Sequence, residues 1–574
     1  MSSPSAVSLN SASSASPAAR AATSRWILNS WMDLLLFVAT PLLIVPLVWG
    51  VQASGTGVDL EMIGLIVAAF GGLGHHLPGM IRAYGDRDLF ERFRMRFLLA
   101  PLFLLAVCIP LARYRLDAML LILLVWGCWH ALMQVYGFVR IYDVKVGSIS
   151  PVTARWDWLM CVCWFTCGQV FSDGKMARFL EYWYDSGGPL IPPVYVHAFR
   201  WAWLALSVGV LIGFLVNHVE QSRQGPRPNP VKLLMLASGI GFWWFAMVGV
   251  ESIILGIALF EIFHDVQYLG IVWLYNCRRV NTTPHLGGFM RFLFRRGRGM
   301  LWLYVGLVFA YGLIGLVPHT FQNQALRETI TGLVWASTML HFYYDGFIWK
   351  VRESTTRAGL GLARKEGAGV SSEPVGPARP RIAIRGIRGG IALGELGHLL
   401  KWSPLVVLLS WLTLAELSGS TLLPDAGQKR QWPHATEFER AQNIAAAVPG
   451  DLRAQRRAAV TLANFDRKDD AIRFLHALLE RRPDYCAGYE TLGEIHHVRG
   501  ELNEAAGSYR RALKLAKRKD EQAMLHHRLG EICLLQGNAA GANQEFQAAL
   551  QLDPAFAPTR ATLAQLQAAA PPAE

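Results

Sequence analysis

Charge is scarce in this 574-residue chain: Asp, Glu, Lys and Arg together make 17% of it, against about a quarter in ordinary soluble domains. Beside 52% hydrophobic residues, 20 Trp, 28 Phe and a mean hydropathy of +0.27, that deficit excludes one large water-soluble globule. It also excludes a disordered chain, which needs low hydrophobicity. The 8 cysteines contain no CxxC pair, and most lie in or beside apolar segments, which argues against a disulfide framework or a zinc ribbon. Residues 1–24 hold no apolar run and read as a Ser/Ala-rich disordered tail. The first apolar run, Trp31 to Trp49, is long enough to span and reads as an uncleaved first helix. What is present is an all-α, polytopic membrane protein with a polar appendage.

A bilayer core of about 30 Å takes roughly 20 apolar residues per helix. That length predicts eleven spans, at 31–50, 60–81, 97–112, 118–139, 156–172, 195–217, 231–249, 252–275, 300–317, 329–350 and 402–418. The apolar run from Lys232 to Asn276 exceeds one helix and breaks most naturally at Val250-Glu251-Ser252. The transmembrane domain then covers 25–350, a flexible basic linker 351–401, and the last helix 402–418. Glycine-rich stretches in the linker lack the strand–turn–helix context of a phosphate loop.

Lys and Arg concentrate in cytoplasmic loops. The loops 82–96 (Arg82, Arg87, Arg92, Arg94, Arg96) and 276–299 (Arg278, Arg279, Arg291, Arg295, Arg296, Arg298) are Arg-rich, whereas 51–59 and 318–328 are nearly free of both residues. The alternation puts the N-terminus in the cytoplasm and, with an odd span count, the C-terminal domain outside. Arg113 and Arg115 run against the pattern. The +13 net charge is thereby assigned to membrane loops, with lipids and no nucleic acid as partner.

Beyond the last span the composition turns soluble, giving a domain at 434–569. One segment reads Tyr489, Leu492-Gly493, His496, Ala505, Tyr509, Ala512; the next reads Leu529-Gly530, Cys533, Ala542, Phe546, Ala549, Pro554; a weaker copy has Ala471, Leu475 and Pro483. This spacing resembles the tetratricopeptide repeat, with small residues where paired helices touch and aromatics between them. The resemblance covers about 452–569 and implies an α-solenoid whose groove recruits a protein partner. His496, His497, His526 and His527 invite a metal reading, but the repeat register puts His496 at an ordinary packing position.

Ionisable residues inside spans are costly and functional suspects by default. The second span ends in His75-His76, the fourth carries His130 and Gln134, the eighth reads Glu261 to His264-Asp265-Val266-Gln267, and the tenth ends His341 to Asp345. Glu261 and His264 share one helix face, as do His341 and Asp345. Glu-x-x-His on a helix is the half-site of di-iron carboxylate bundles, and imidazole with carboxylate suits iron, manganese or zinc. All four helices run inward with their polar group in the later half, so the groups share a depth to within about 14 Å.

The expected metal ligands are therefore His75, His76, His130, Glu261, His264, His341 and Asp345, oriented by Gln134, Asp265 and Gln267, and the expected cofactor is iron or another transition metal. Haem between His130 and His264 is the alternative cofactor. The expected function is a non-haem, di-iron-like oxidoreductase, a hydroxylase or desaturase, acting on a lipid-like substrate. Two alternatives stay open. One is a lipid-carrier-dependent glycosyltransferase, which the membrane-plus-repeat architecture resembles and which would use Asp59 or Glu61. The other is a non-enzymatic scaffold or transporter. Cys161, Cys163 and Cys167 read as helix packing.

Overall fold

A computed structural model describes residues 25–53, 60–224, 227–250, 252–283, 286–295, 297–349, 393–418 and 436–569, with Thr356, Leu360 and Leu362 besides. Every regular element among the described residues is helical. Seven helices are long and apolar enough to cross a membrane, or eight if a bent pair counts as one span. That pair, Ser30–Val38 and Thr40–Gly50, falls on the expected first span and bends by 53°. The bend follows from Pro41, which has no N–H to donate and whose ring disfavours helical backbone in the residue before it. The Thr40 hydroxyl donates to the Leu35 and Leu36 carbonyls, and the Phe37 carbonyl, which Pro41 cannot serve, accepts from Gln267. Helices Pro151–Phe171 and Gln324–Ile348 fall on two more expected spans but are less apolar than the seven, and Trp402–Leu417 is apolar but shorter.

The chain divides into two compact units. The first comprises Met1–Arg113, Trp126–Gly168 and Ala205–Val375. Its core is an aromatic and aliphatic cluster that includes Phe37, Phe138, Phe165, Trp243, Phe260 and Phe263. A buried charge network crosses it: Lys232 lies 2.8 Å from Asp143 and 3.0 Å from Asp157, and Arg140 pairs with both carboxylates. Each charge is thus matched, the condition under which buried ions are tolerated.

Four helical runs position the candidate site: α1 (Met62–Gly85), α2 (Ala118–Lys145), α3 (Ile253–Thr282) and α4 (Gln324–Ile348). Ser252 and Asn323 cap α3 and α4 by accepting from the Leu255 and Leu326 amides, satisfying donors every helix start leaves open. A π-helical turn, Ala68–Leu73, interrupts α1 immediately before His75; such turns often mark functional sites. The same stretch is glycine-rich for a steric reason. A Cβ on Gly74 would stand 2.8 Å from the Val308 carbonyl oxygen, and one on Gly64 2.3 Å from Ile254. Small residues let the helices approach.

The second unit comprises Tyr114–Val125, Gln169–Leu204 and Gly376–Glu574. Its C-terminal part is a run of helices: α5 (Leu452–Asn464), α6 (Lys468–Arg481), α7 (Cys486–Arg499), α8 (Leu502–Leu515), α9 (Lys519–Leu535) and α10 (Ala539–Leu552). Gly493 of α7 faces the Tyr509 ring of α8, and Gly530 of α9 faces the Phe546 ring of α10. Helix Glu437–Ala447 packs on Asp173–Asp185 through Ile444, Ala447, Leu180 and Tyr184, and Arg440 pairs with Asp185 at 2.9 Å.

Candidate metal centre

Four histidines from four helical runs converge in the first unit. His75 Nε2 lies 2.9 Å from His341 Nε2, which lies 3.1 Å from His130 Nε2, which lies 3.2 Å from His264 Nε2. One ligand atom from each of the four lies within 4.8 Å of all the others. His75, His264 and His341 are buried, with His130 partly so.

Hydrogen bonding alone does not account for this cluster. A ring nitrogen offers one proton or one lone pair in the ring plane. His341 Nε2 has two such neighbours, and so does His130 Nε2. A central cation would instead use four lone pairs at once. Metal–imidazole bonds of about 2.0–2.1 Å in tetrahedral array place the nitrogens about 3.3 Å apart, close to the spacings found.

The surroundings fit a cation as well. His75 Nδ1 lies 3.0 Å from the Gly71 carbonyl oxygen, which as acceptor fixes the proton on Nδ1 and leaves Nε2 its lone pair. Asp265 Oδ1 lies 2.7 Å from the same Nδ1, and Glu261 Oε1 3.7 Å from it. Asp265 is buried, and His75 is its close polar neighbour. Two carboxylates beside four imidazoles make a ligand mix that a divalent ion would match. His75, Glu261 and Asp265 form a second group able to hold an ion. This buried His/Glu/Asp assembly can hold a metal ion.

The remaining expected residues have separate partners. His76 turns its Nδ1 to the Ser337 hydroxyl at 3.0 Å, and Ser337 meets Tyr311 OH at 2.8 Å. Asp345 accepts from Tyr268 OH and from Trp349 Nε1, both at 3.0 Å, and stands 3.8 Å from His341. Gln134 donates to the His264 carbonyl at 2.9 Å and to Gln267 at 3.1 Å, and Gln267 donates to the Phe37 carbonyl at 2.7 Å. These two glutamines hold α2, α3 and the π-helical turn Leu34–Val38 together around His264.

Ser337, Tyr268 and Trp349 went unremarked in the sequence, although a signal exists. Ser337 precedes His341 by four residues, Tyr268 follows His264 by four, and Trp349 follows Asp345 by four. That spacing is one helical face. Arg82, expected in an inner loop, is instead helical and only 2% exposed.

In the second unit, His496 pairs with Glu501, His526 with Glu545, and His527 with Thr559, so these three histidines do not converge. Asp59 lies outside the described residues, as does Glu251 at the expected break; the helices flanking that break end at Gly249 and restart at Ile253. The expected tail at 1–24 and nearly all of the expected linker also lie outside them. No family model matches this chain, and a search of curated proteins finds no match.

Proposed function

We propose that this protein is a membrane-embedded, metal-dependent oxidoreductase acting on a lipid-like substrate, with one non-haem transition-metal ion held by His75, His130, His264 and His341. The observation that carries the reading is the convergence of four imidazole nitrogens, from three buried histidines and the partly buried His130, among apolar helices. Neutral imidazole suits iron, copper, nickel and zinc; iron is the choice that fits redox chemistry on a hydrocarbon. The ion, when bound, supplies an electrophilic, redox-active centre. The chain orients the ligands through Asp265, Glu261 and Gln134, and the surrounding aromatic core excludes water.

Geometry favours a four-histidine site over a carboxylate-bridged pair. Glu261 and Asp265 both approach Nδ1 of His75, whose proton already serves the Gly71 carbonyl. Haem between His130 and His264 is disfavoured because a porphyrin needs the plane around its axis clear, and His75 and His341 lie within 4.8 Å of both.

Eleven spans with the N-terminus inside remain the proposed topology, supported by the Arg-rich and Arg-poor loops. The helices α5–α10 are proposed as tetratricopeptide repeats, supported by the Gly493–Tyr509 and Gly530–Phe546 contacts at equivalent positions. Their proposed role is to recruit a protein partner outside the membrane. The deciding experiment is elemental analysis with absorption spectroscopy on full-length protein purified without chelators. About one transition metal per chain and no Soret band is expected. Protein without transition metal defeats the metal reading; a Soret band defeats the non-haem one.

A further inference from the structure

Arg82 carries a full set of guanidinium donors into the interior of the first unit with few acceptors to meet them. It is 2% exposed. Its Nη2 donates to Tyr275 OH at 2.9 Å, while Nε and Nη1 have no hydrogen-bond partner. Trp349 and Tyr275 lie against the guanidinium, with its central carbon 3.9 and 4.4 Å from the two ring centroids. The nearby carboxylates are engaged elsewhere: Asp86 pairs with Arg279, and Asp345 accepts from Tyr268 and Trp349. Among the described residues, no carboxylate lies in ion-pair range of Arg82.

An unmatched arginine inside an apolar bundle is expensive. Aromatic stacking holds the guanidinium plane and leaves its edge nitrogens free, the arrangement in which arginine receives carboxylate or phosphate. Placement sets what else the ligand must be. Arg82 follows His75 by seven residues on α1, about 10 Å along the helix axis. The face between them, at Gly79, is covered by Tyr268, His341 and Asp345, whose polar atoms lie 3.0–3.8 Å from where a Gly79 Cβ would stand. An anion held at Arg82 therefore lies within about two helical turns of the His75 level, and any hydrocarbon attached to it lies among the apolar helices of the first unit.

We infer that Arg82 is the head-group site for an anionic amphiphile, its carboxylate or phosphate bound by the free guanidinium donors and its alkyl chain lying among the apolar helices of the first unit. Binding stands independently of the metal reading; only the role of that amphiphile as substrate rests on it.

The test is equilibrium binding of radiolabelled palmitate, lysophosphatidate, hexadecanol and inorganic phosphate to full-length protein in a neutral detergent, with metal content measured on the same samples. Wild type should bind palmitate or lysophosphatidate saturably, and at least about tenfold more tightly than hexadecanol or inorganic phosphate, as charge-assisted hydrogen bonds imply. R82Q should lose that preference and keep its metal, whereas R82K should retain part of it. Equal binding of palmitate, lysophosphatidate and hexadecanol by wild type overturns the inference without recourse to any variant. Phosphate binding as tight as lysophosphatidate overturns the amphiphile, and an unchanged preference in R82Q overturns Arg82. Metal-free protein that still prefers the anionic amphiphile overturns only the metal reading.

Discussion

Substituting Gly71 by alanine tests the metal centre without touching a ligand. The built Cβ would lie 2.2 Å from Asp265 Oδ2, far inside contact distance, and Asp265 is buried at 4% exposure. The carboxylate must rotate away, which breaks its 2.7 Å approach to His75 Nδ1. Losing a carboxylate that supports a metal-bound histidine typically costs 10–100-fold in metal affinity, about 1.4–2.7 kcal/mol. The clash itself overpacks the site whether or not the cluster binds metal, at a cost of about 1–3 kcal/mol. Melting temperature thus does not separate the two readings, whereas metal affinity does. Gly71→Ala should therefore lower metal affinity by at least about tenfold in chelator competition. Asp265→Asn, which keeps an acceptor in place without its charge, should fall between it and wild type. Wild-type metal affinity in Gly71→Ala would refute the reasoning.

His264→Ala should abolish bound metal while the protein still inserts, because a missing interhelical hydrogen bond costs only about 0.6 kcal/mol in a membrane bundle; His476→Ala, at an exposed position of the second unit, should leave the metal content unchanged. Gly530→Ala places a Cβ 2.5 Å from the Phe546 ring, and overpacking of this kind should destabilise the second unit by about 1–3 kcal/mol in denaturant unfolding. Glu531 is held down to about 2 by His527 first and by Arg528. A depressed carboxyl stabilises the fold above its unfolded value of 4.5 and loses that contribution as pH falls toward 2. Melting of the second unit should decline over that window, and Glu531→Gln should flatten the decline.

Legibility of the fold and of the site divides along a physical line. Helices are local: hydrogen bonds run four residues back, and an apolar run long enough to span a bilayer announces itself in any window of its own length. The all-helical class was therefore readable, and so were the histidine candidates, because a histidine in an apolar helix is conspicuous wherever it points. Pro41 is also local, and its 53° bend was available to a closer reading.

Convergence was not available. His75 and His341 are separated by 266 positions, and His130 and His264 by 134. Whether their nitrogens meet depends on which face of each helix packs inward, and that is set by long-range contacts: glycines on α1 admitting Asp265 and Val308, and the glutamine links from α2 to α3. A rotation of one helix by a single residue, about 100°, would exchange His75 for His76. Nothing local distinguishes the two, yet in the folded chain His75 joins the cluster and His76 turns to Ser337. Arg82 illustrates the same limit. Arginine beside a run of loop arginines reads as cytoplasmic, and only the packing of Trp349 and Tyr275 around it, from helices far along the chain, places it inside. Local chemistry names the candidates; the rotation and approach of distant helices select among them.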